Sequence, residues 1–345
     1  MKNTIIQIKL LLKATYLLLF LAVIFIAFVT VLHYIPPILK FQDANQTAFT
    51  WRLKSIDTDM PKGSQGDKVK YGYLLITKTS DHIGPLATNK AMRYAGNNLT
   101  CDNCHLNAGR KIGSGSFVGV TNRFPQFRGR ENKMGTLEER INGCMERSMN
   151  GRVMPENSDE MQAIIEYMKW LSEDVPEDIE KLYKGYVKIN IPDEKADPNI
   201  GKAIYEAKCK LCHKENGKGL KNNTAQFSGY TYPPLGGHDS YNDGAGMNRV
   251  ITSAQFIKGN MPFGATYDAP LVTDAEAYHI AAYINTFERP NKQNRKDDFP
   301  DLKLKPVSTP YGPWVDNFTP EQHKFGPFPP IIDFYEKQYG ITKTK

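Results

Sequence analysis

The string Cys101-Asp102-Asn103-Cys104-His105 returns 108 residues later, counted from 101 to 209, as Cys209-Lys210-Leu211-Cys212-His213. No other feature restricts the fold as strongly. On one helical turn, residues i, i+3 and i+4 share a face, so two thiols and an imidazole converge on one spot. A c-type haem needs that set: two thioether anchors and a proximal histidine on iron. A structural zinc takes four ligands, and each copy offers three with no matching pair nearby. A plain dithiol leaves the following histidine, present both times, unexplained. Two covalently bound haem c groups are therefore expected, one on Cys101, Cys104 and His105, the other on Cys209, Cys212 and His213.

The rest of the chain follows that repeat. With 345 residues and 40% hydrophobic content, it can hold two small domains and additions. Each half closes with an amphipathic segment, Ser158–Leu171 and Thr273–Phe287, whose apolar positions recur every three to four residues. Both open on a Ser or Thr followed by acids, an arrangement that caps a helix. Tyr94 and Tyr205 precede the two motifs, each expected within a helical stretch. Ser172–Pro198, rich in acids and prolines, reads as a connection between the halves. The last segment carries Trp314, Phe318, Phe325 and Phe328, too apolar for a free tail, so it is expected to wrap the domains. The fold class expected is mainly α, with two tandem cytochrome c-like haem domains behind an N-terminal transmembrane helix. The expected divisions are residues 1–40 as membrane anchor, 41–69 as linker, 70–185 as the first haem domain, 186–290 as the second, and 291–345 as a Pro/aromatic-rich extension.

From Ala14 to Leu32 there is no charged side chain, and the apolar run continues to Ile35. As a helix, Ala14–Ile35 rises about 33 Å, enough to cross a bilayer. Lys2, Lys9 and Lys13 precede it, which keeps the N-terminus cytoplasmic. No small-x-small cleavage site ends the run, so an uncleaved signal anchor is expected. That places the chain as a single-pass protein of the bacterial inner membrane, with its haem domains in the periplasm. The formal charge of +7 is mild and points only weakly to anionic partners. No segment resembles a nucleic-acid module.

The remaining axial positions decide whether a haem carries electrons or performs chemistry. Met261, 48 residues after His213, suits the distal ligand of the second haem and is preferred over Met247. In the first half Met154 holds the parallel position, 49 residues after His105. Its competitor is Cys144, the one cysteine of five left over by the haem motifs. A leftover thiol in an exported protein is free, paired between chains, or a metal ligand. If its segment is helical, Arg140, Cys144 and Ser148 lie on one face. A thiolate there would lower the haem potential and stay nucleophilic. Spacing alone leaves Cys144 and Met154 even.

The segments YAGNNLTCDNCHLNAG, FPQFRGR, ERINGCMERSMNG and DGAGMNRV...FIKGNMPFG resemble the dihaem thiosulfate dehydrogenase family, whose members form or reduce tetrathionate. The likeness runs over roughly residues 70 to 290. It implies Cys144 as distal ligand of an active-site haem opposite His105, and Met261 as distal ligand of an electron-transfer haem opposite His213. It also implies substrate binding by Arg130, Arg140 and Ser148. Some members carry a lysine before the methionine, whereas this chain has Asn260, so lysine ligation is not expected. Thiosulfate is a small dianion that arginines can grip through its sulfonate oxygens. Two haems match the two electrons released when two thiosulfates join. The implied partners are thiosulfate or tetrathionate and an external electron-carrier cytochrome; Lys208, Lys210, Lys214, Lys218 and Lys221 offer a basic face for such a carrier. Two other classes stay open: a pure electron carrier with Met154 as ligand, and a dihaem peroxidase, for which no histidine stands out, since His238 and His279 both lie in the second half.

Overall fold

The computed structural model describes residues 2–34, 51–222 and 229–345. The chain divides into two units, Met1–Thr50 and Trp51–Lys345. The first holds one helix, Lys2–Tyr34. Its 22-residue stretch Lys9–Thr30 is exposed throughout and is long and apolar enough to cross a membrane. Thr15 and Thr30 turn their hydroxyls back onto the carbonyls of Leu11 and Ile26, so neither leaves an unpaired donor on the apolar surface. Residues 35–50, the expected end of the anchor and start of the linker, lie outside the described residues.

The second unit is mainly helical and holds two apolar cores. In the first, Gly63–Thr77 packs against Asp159–Ser172, burying Leu75, Ile76, Met161, Tyr167 and Trp170. In the second, Pro198–Lys208 packs against Asp274–Ile284, with Val250–Asn260 alongside. The capping read from sequence is present. Ser158 accepts from the Met161 amide at 3.2 Å, and Thr273 and Glu276 cap each other reciprocally. Both helix pairs cross where one partner lacks a side chain. A β-carbon on Gly72 would stand 2.1 Å from the Ala163 oxygen, and one on Gly201 would stand 1.9 Å from the His279 oxygen. Sheet is confined to two antiparallel pairs among the described residues, Gln126–Arg128 with Lys133–Gly135 and Leu220–Lys221 with Tyr230–Tyr232.

Two local expectations are corrected. Tyr205 lies in the helix Pro198–Lys208, but Tyr94 lies in extended chain after a short turn at Lys90–Met92. Its amide donates to the Ile83 carbonyl and its own carbonyl accepts from Arg152, so the backbone groups a helix would use are spent on cross-links. The acidic connection between the halves is not wholly irregular: Glu177–Tyr183 forms a helix, and its three first-turn acids face the positive end of the helix dipole.

The last segment packs on the second core. Phe328 and Tyr335 are fully buried there, and the Phe325 carbonyl accepts from the Ala196 amide at 2.7 Å. Trp314 stacks flat on His323, ring centroids 4.3 Å apart, while His323 bonds Asp316 and the Val307 carbonyl.

Candidate active site

Both Cys-x-x-Cys-His strings form a single helical turn. Cys104 and His105 donate to the Cys101 carbonyl at 3.2 and 2.9 Å; Cys212 and His213 repeat this on Cys209 at 3.2 and 3.0 Å. After His105 the chain turns left-handed at Asn107 and Ala108, pinned by Asp102 accepting from the Ala108 amide. This brings the loop back so that the Gly115 carbonyl lies 2.7 Å from His105 Nδ1. His213 Nδ1 is likewise 3.0 Å from the Pro233 carbonyl. An Nδ1–H held by a carbonyl leaves Nε2 unprotonated and free for a metal. Beside Cys101, Cys104 and His105 opens a largely apolar cavity, walled by Ile76, Phe117 and Met168 among others. Anchoring thiols, an oriented imidazole and an apolar pocket suit a haem.

Cys144 forms part of that wall. It sits on the helix Leu137–Arg147, which begins with a reciprocal cap between Thr136 and Glu139 and ends at Ser148. On this helix Arg140 Nη1 donates to Cys144 Sγ at 2.7 Å, the i, i+4 relation expected from the sequence. Burial would raise the Cys144 thiol, but the Arg140 charge and contact with the His105 imidazole outweigh it and bring it down to about 6. Burial instead pushes Cys101 up to about 11 and Cys104 up to about 12. Met154 is buried in the first core with its backbone clasped by Asn142, and it does not line the cavity. Met247 does line it, beside Tyr241. Met261 ends the helix Val250–Asn260 and packs, like Cys209, against the second core.

On its other side Cys144 faces a polar pocket. Ser148 borders both spaces. Arg130, Arg140 and Ser148 are brought together here, and Arg128, Arg147 and Arg249 join them. The short hairpin Gln126–Gly135 carries Arg128 and Arg130 to the rim. Asp298, from the C-terminal extension, holds Arg130 and Arg147 together at 2.5 Å each, and Glu131 holds Arg128 at 2.9 Å. Arg147 could have been found as the residue seven after Arg140 on the same face. Asp298 gives no local signal.

Residues 91–176 match the family described as SoxA/TsdA, cytochrome c domain, and residues 199–288 match cytochrome c. A thiosulfate dehydrogenase of Stutzerimonas stutzeri is 36% identical over 234 residues, 68% of this chain and 71% of that protein. The chain belongs to the thiosulfate dehydrogenase family. The thiosulfate dehydrogenase of Allochromatium vinosum is 34% identical, covering 69% of this chain and 84% of its own. That of Psychrobacter arcticus is 40% identical over 60% of this chain. This chain spans 61% of the Psychrobacter protein's length. A solved thiosulfate dehydrogenase (TsdBA) from Marichromatium purpuratum superposes with a TM-score of 0.62 at 34% identity, covering 71% of this chain and 50% of that one. The chain has two tandem cytochrome c domains, which indicate two c-type haems.

Proposed function

We propose that this chain couples two thiosulfates into tetrathionate at Cys144, or runs the reverse reaction, and sends the electrons outward through its second haem. The observation that carries this reading is the position of one sulfur, Cys144 Sγ, between an apolar haem cavity and a pocket lined by five arginines. A small dianion fits the second space, and the sulfur is at hand for it. The names of the relatives point the same way.

Arg130, Arg140 and Ser148 take the sulfonate oxygens through charge-assisted hydrogen bonds. Cys144 and His105, both in the cavity wall, would hold the first haem, and Cys144 is also the nucleophile. Its sulfur bonds the terminal sulfur of one thiosulfate, releasing two electrons and leaving a Cys–S–S–SO3⁻ adduct. The terminal sulfur of a second thiosulfate then attacks the adduct's outer bridging sulfur. Tetrathionate leaves with both sulfonates, and the Cys144 thiolate is restored, so one difficult step becomes two. The bound haems supply two one-electron sinks for these electrons. Met261 and His213 would hold the second haem, a pairing that would raise the potential and favour onward transfer to an external one-electron cytochrome carrier. The apolar N-terminal helix fits a single-pass inner-membrane anchor, with the haem domains in the periplasm.

The pure-carrier reading needs Met154 at the first haem, yet Met154 stands outside the cavity wall and Cys144 within it. The test is Cys144→Gly in the haem-loaded protein. Both haems stay attached and thiosulfate oxidation with ferricyanide as acceptor falls at least about a thousandfold, since ligand and nucleophile go together. Normal turnover in that variant would overturn the role of Cys144, and a parent protein without thiosulfate turnover, with an altered first-haem spectrum in Met154→Leu, would leave the carrier reading standing.

A further inference from the structure

Four of the five arginines in the pocket already have a partner in the protein. Arg130 and Arg147 share the charge of Asp298, Arg128 is held by Glu131, and Arg140 gives Nη1 to the Cys144 sulfur while its other donors stay available to a first sulfonate. Arg249 differs. It comes from the second cytochrome region, as the residue that opens the helix Val250–Asn260. Among the described residues no carboxylate lies within salt-bridge distance of it, and its guanidinium makes one hydrogen bond, a long 3.4 Å one from Nε to the Gly246 carbonyl. Gly246 leaves room for the guanidinium, since a β-carbon there would stand 3.1 Å from Arg249 Nη2. Burial and the nearby Arg130 and Arg140 charges push Arg249 down to about 10, so an anion beside it relieves a repulsion that the protein itself leaves uncompensated.

Coupling two thiosulfates sets a problem that one binding site does not solve. With the first sulfonate held against Arg140, a second dianion is repelled unless a further uncommitted charge awaits it. We infer that Arg249 is the residue that binds the sulfonate of the second thiosulfate, and equally the far sulfonate of tetrathionate. The guanidinium geometry suits this, because its planar fork can meet two oxygens of one sulfonate at once. The inference rests on the coupling reaction proposed above and adds a residue whose sequence position gives no hint of the role. Arg249 is 105 residues from Cys144, counted from 144 to 249, and reaches the pocket only through the packing of the two halves.

The experiment is calorimetric titration of tetrathionate into the oxidised, haem-loaded Cys144→Gly protein, the parent for this comparison, in which no thiolate can displace thiosulfate from the ligand. In Arg249→Gln the affinity falls about tenfold to a hundredfold, the loss typical of one charge-assisted contact. Arg249→Lys recovers part of that loss by restoring the charge without the fork. Both variants keep the parent's haem spectrum and Tm. An Arg249→Gln affinity within twofold of the parent overturns the assignment. So does a loss shared equally by Arg249→Lys and accompanied by a lowered Tm, which would mark a structural residue. A parent protein that binds neither tetrathionate nor thiosulfate overturns the coupling reading on which the assignment stands.

Discussion

Cys144 and Met154 lie ten residues apart, and their spacing from His105 does not choose between them. Packing does. Asn142 clasps the Met154 amide and carbonyl and directs that side chain into the core, while the helix Leu137–Arg147 turns Cys144 towards the haem cavity. Met154→Leu, a near-isosteric core change, should cost less than about 1.5 kcal/mol and leave the first-haem absorption spectrum unmoved. Denaturant titration and a spectrum of the oxidised protein check both halves of that statement. Arg140→Ala removes one charge-assisted contact, so kcat/KM for thiosulfate should fall by the equivalent of about 1.5–3 kcal/mol. Because Arg140 also bonds Cys144 Sγ, the variant's first-haem spectrum should shift as well, unlike that of Met154→Leu.

At the scale of elements, both cores depend on helices crossing at a residue without a side chain. Gly72→Ala and Gly201→Ala each force a carbon into a backbone oxygen, so helix separation must grow. About 1–3 kcal/mol of stability should be lost in each, read from the urea midpoint. An unchanged midpoint in both would show that the crossings relax freely. The C-terminal extension contributes a different kind of strut. Burial pushes the Asp298 carboxyl up, but hydrogen bonds from Arg147 and the charges of Arg130 and Arg147 outweigh it and hold it below the usual carboxylate range. A carboxyl lowered by folding stabilises above its unfolded value of about 3.9, and that contribution is lost as pH falls through the lower folded value. Asp298→Asn should therefore cost about 3 kcal/mol near neutrality, since Arg130 then loses its carboxylate and Arg147 keeps only the distant Glu146 at 3.8 Å. Its stability should also fall less steeply than the parent's between pH 5 and 2. Parallel profiles for the two proteins would remove Asp298 from the acid response.

For the whole molecule, the exposed apolar helix predicts that the full chain stays in the membrane pellet after alkaline carbonate extraction, with two haems per chain by pyridine haemochrome. Release into the supernatant would rule out a spanning anchor. Much of this organisation was legible in the sequence, because its signals are local. A cysteine pair and histidine within one turn, an uncharged run of helical length, and a hydroxyl with acids at a helix start each need only neighbouring residues. The line of Arg140, Cys144 and Ser148 was legible for the same reason, although that line alone did not place Cys144 over Met154. The glycine crossings lie 29 and 8 residues before their motifs, with no common spacing to betray them. The clamp of Asp298 on Arg130 and Arg147, and the arrival of Arg249 in the pocket, join segments more than a hundred residues apart. Local chemistry is written in order along the chain. A charge balance around a pocket depends on which distant segments burial brings together, and only the packed tertiary structure decides that.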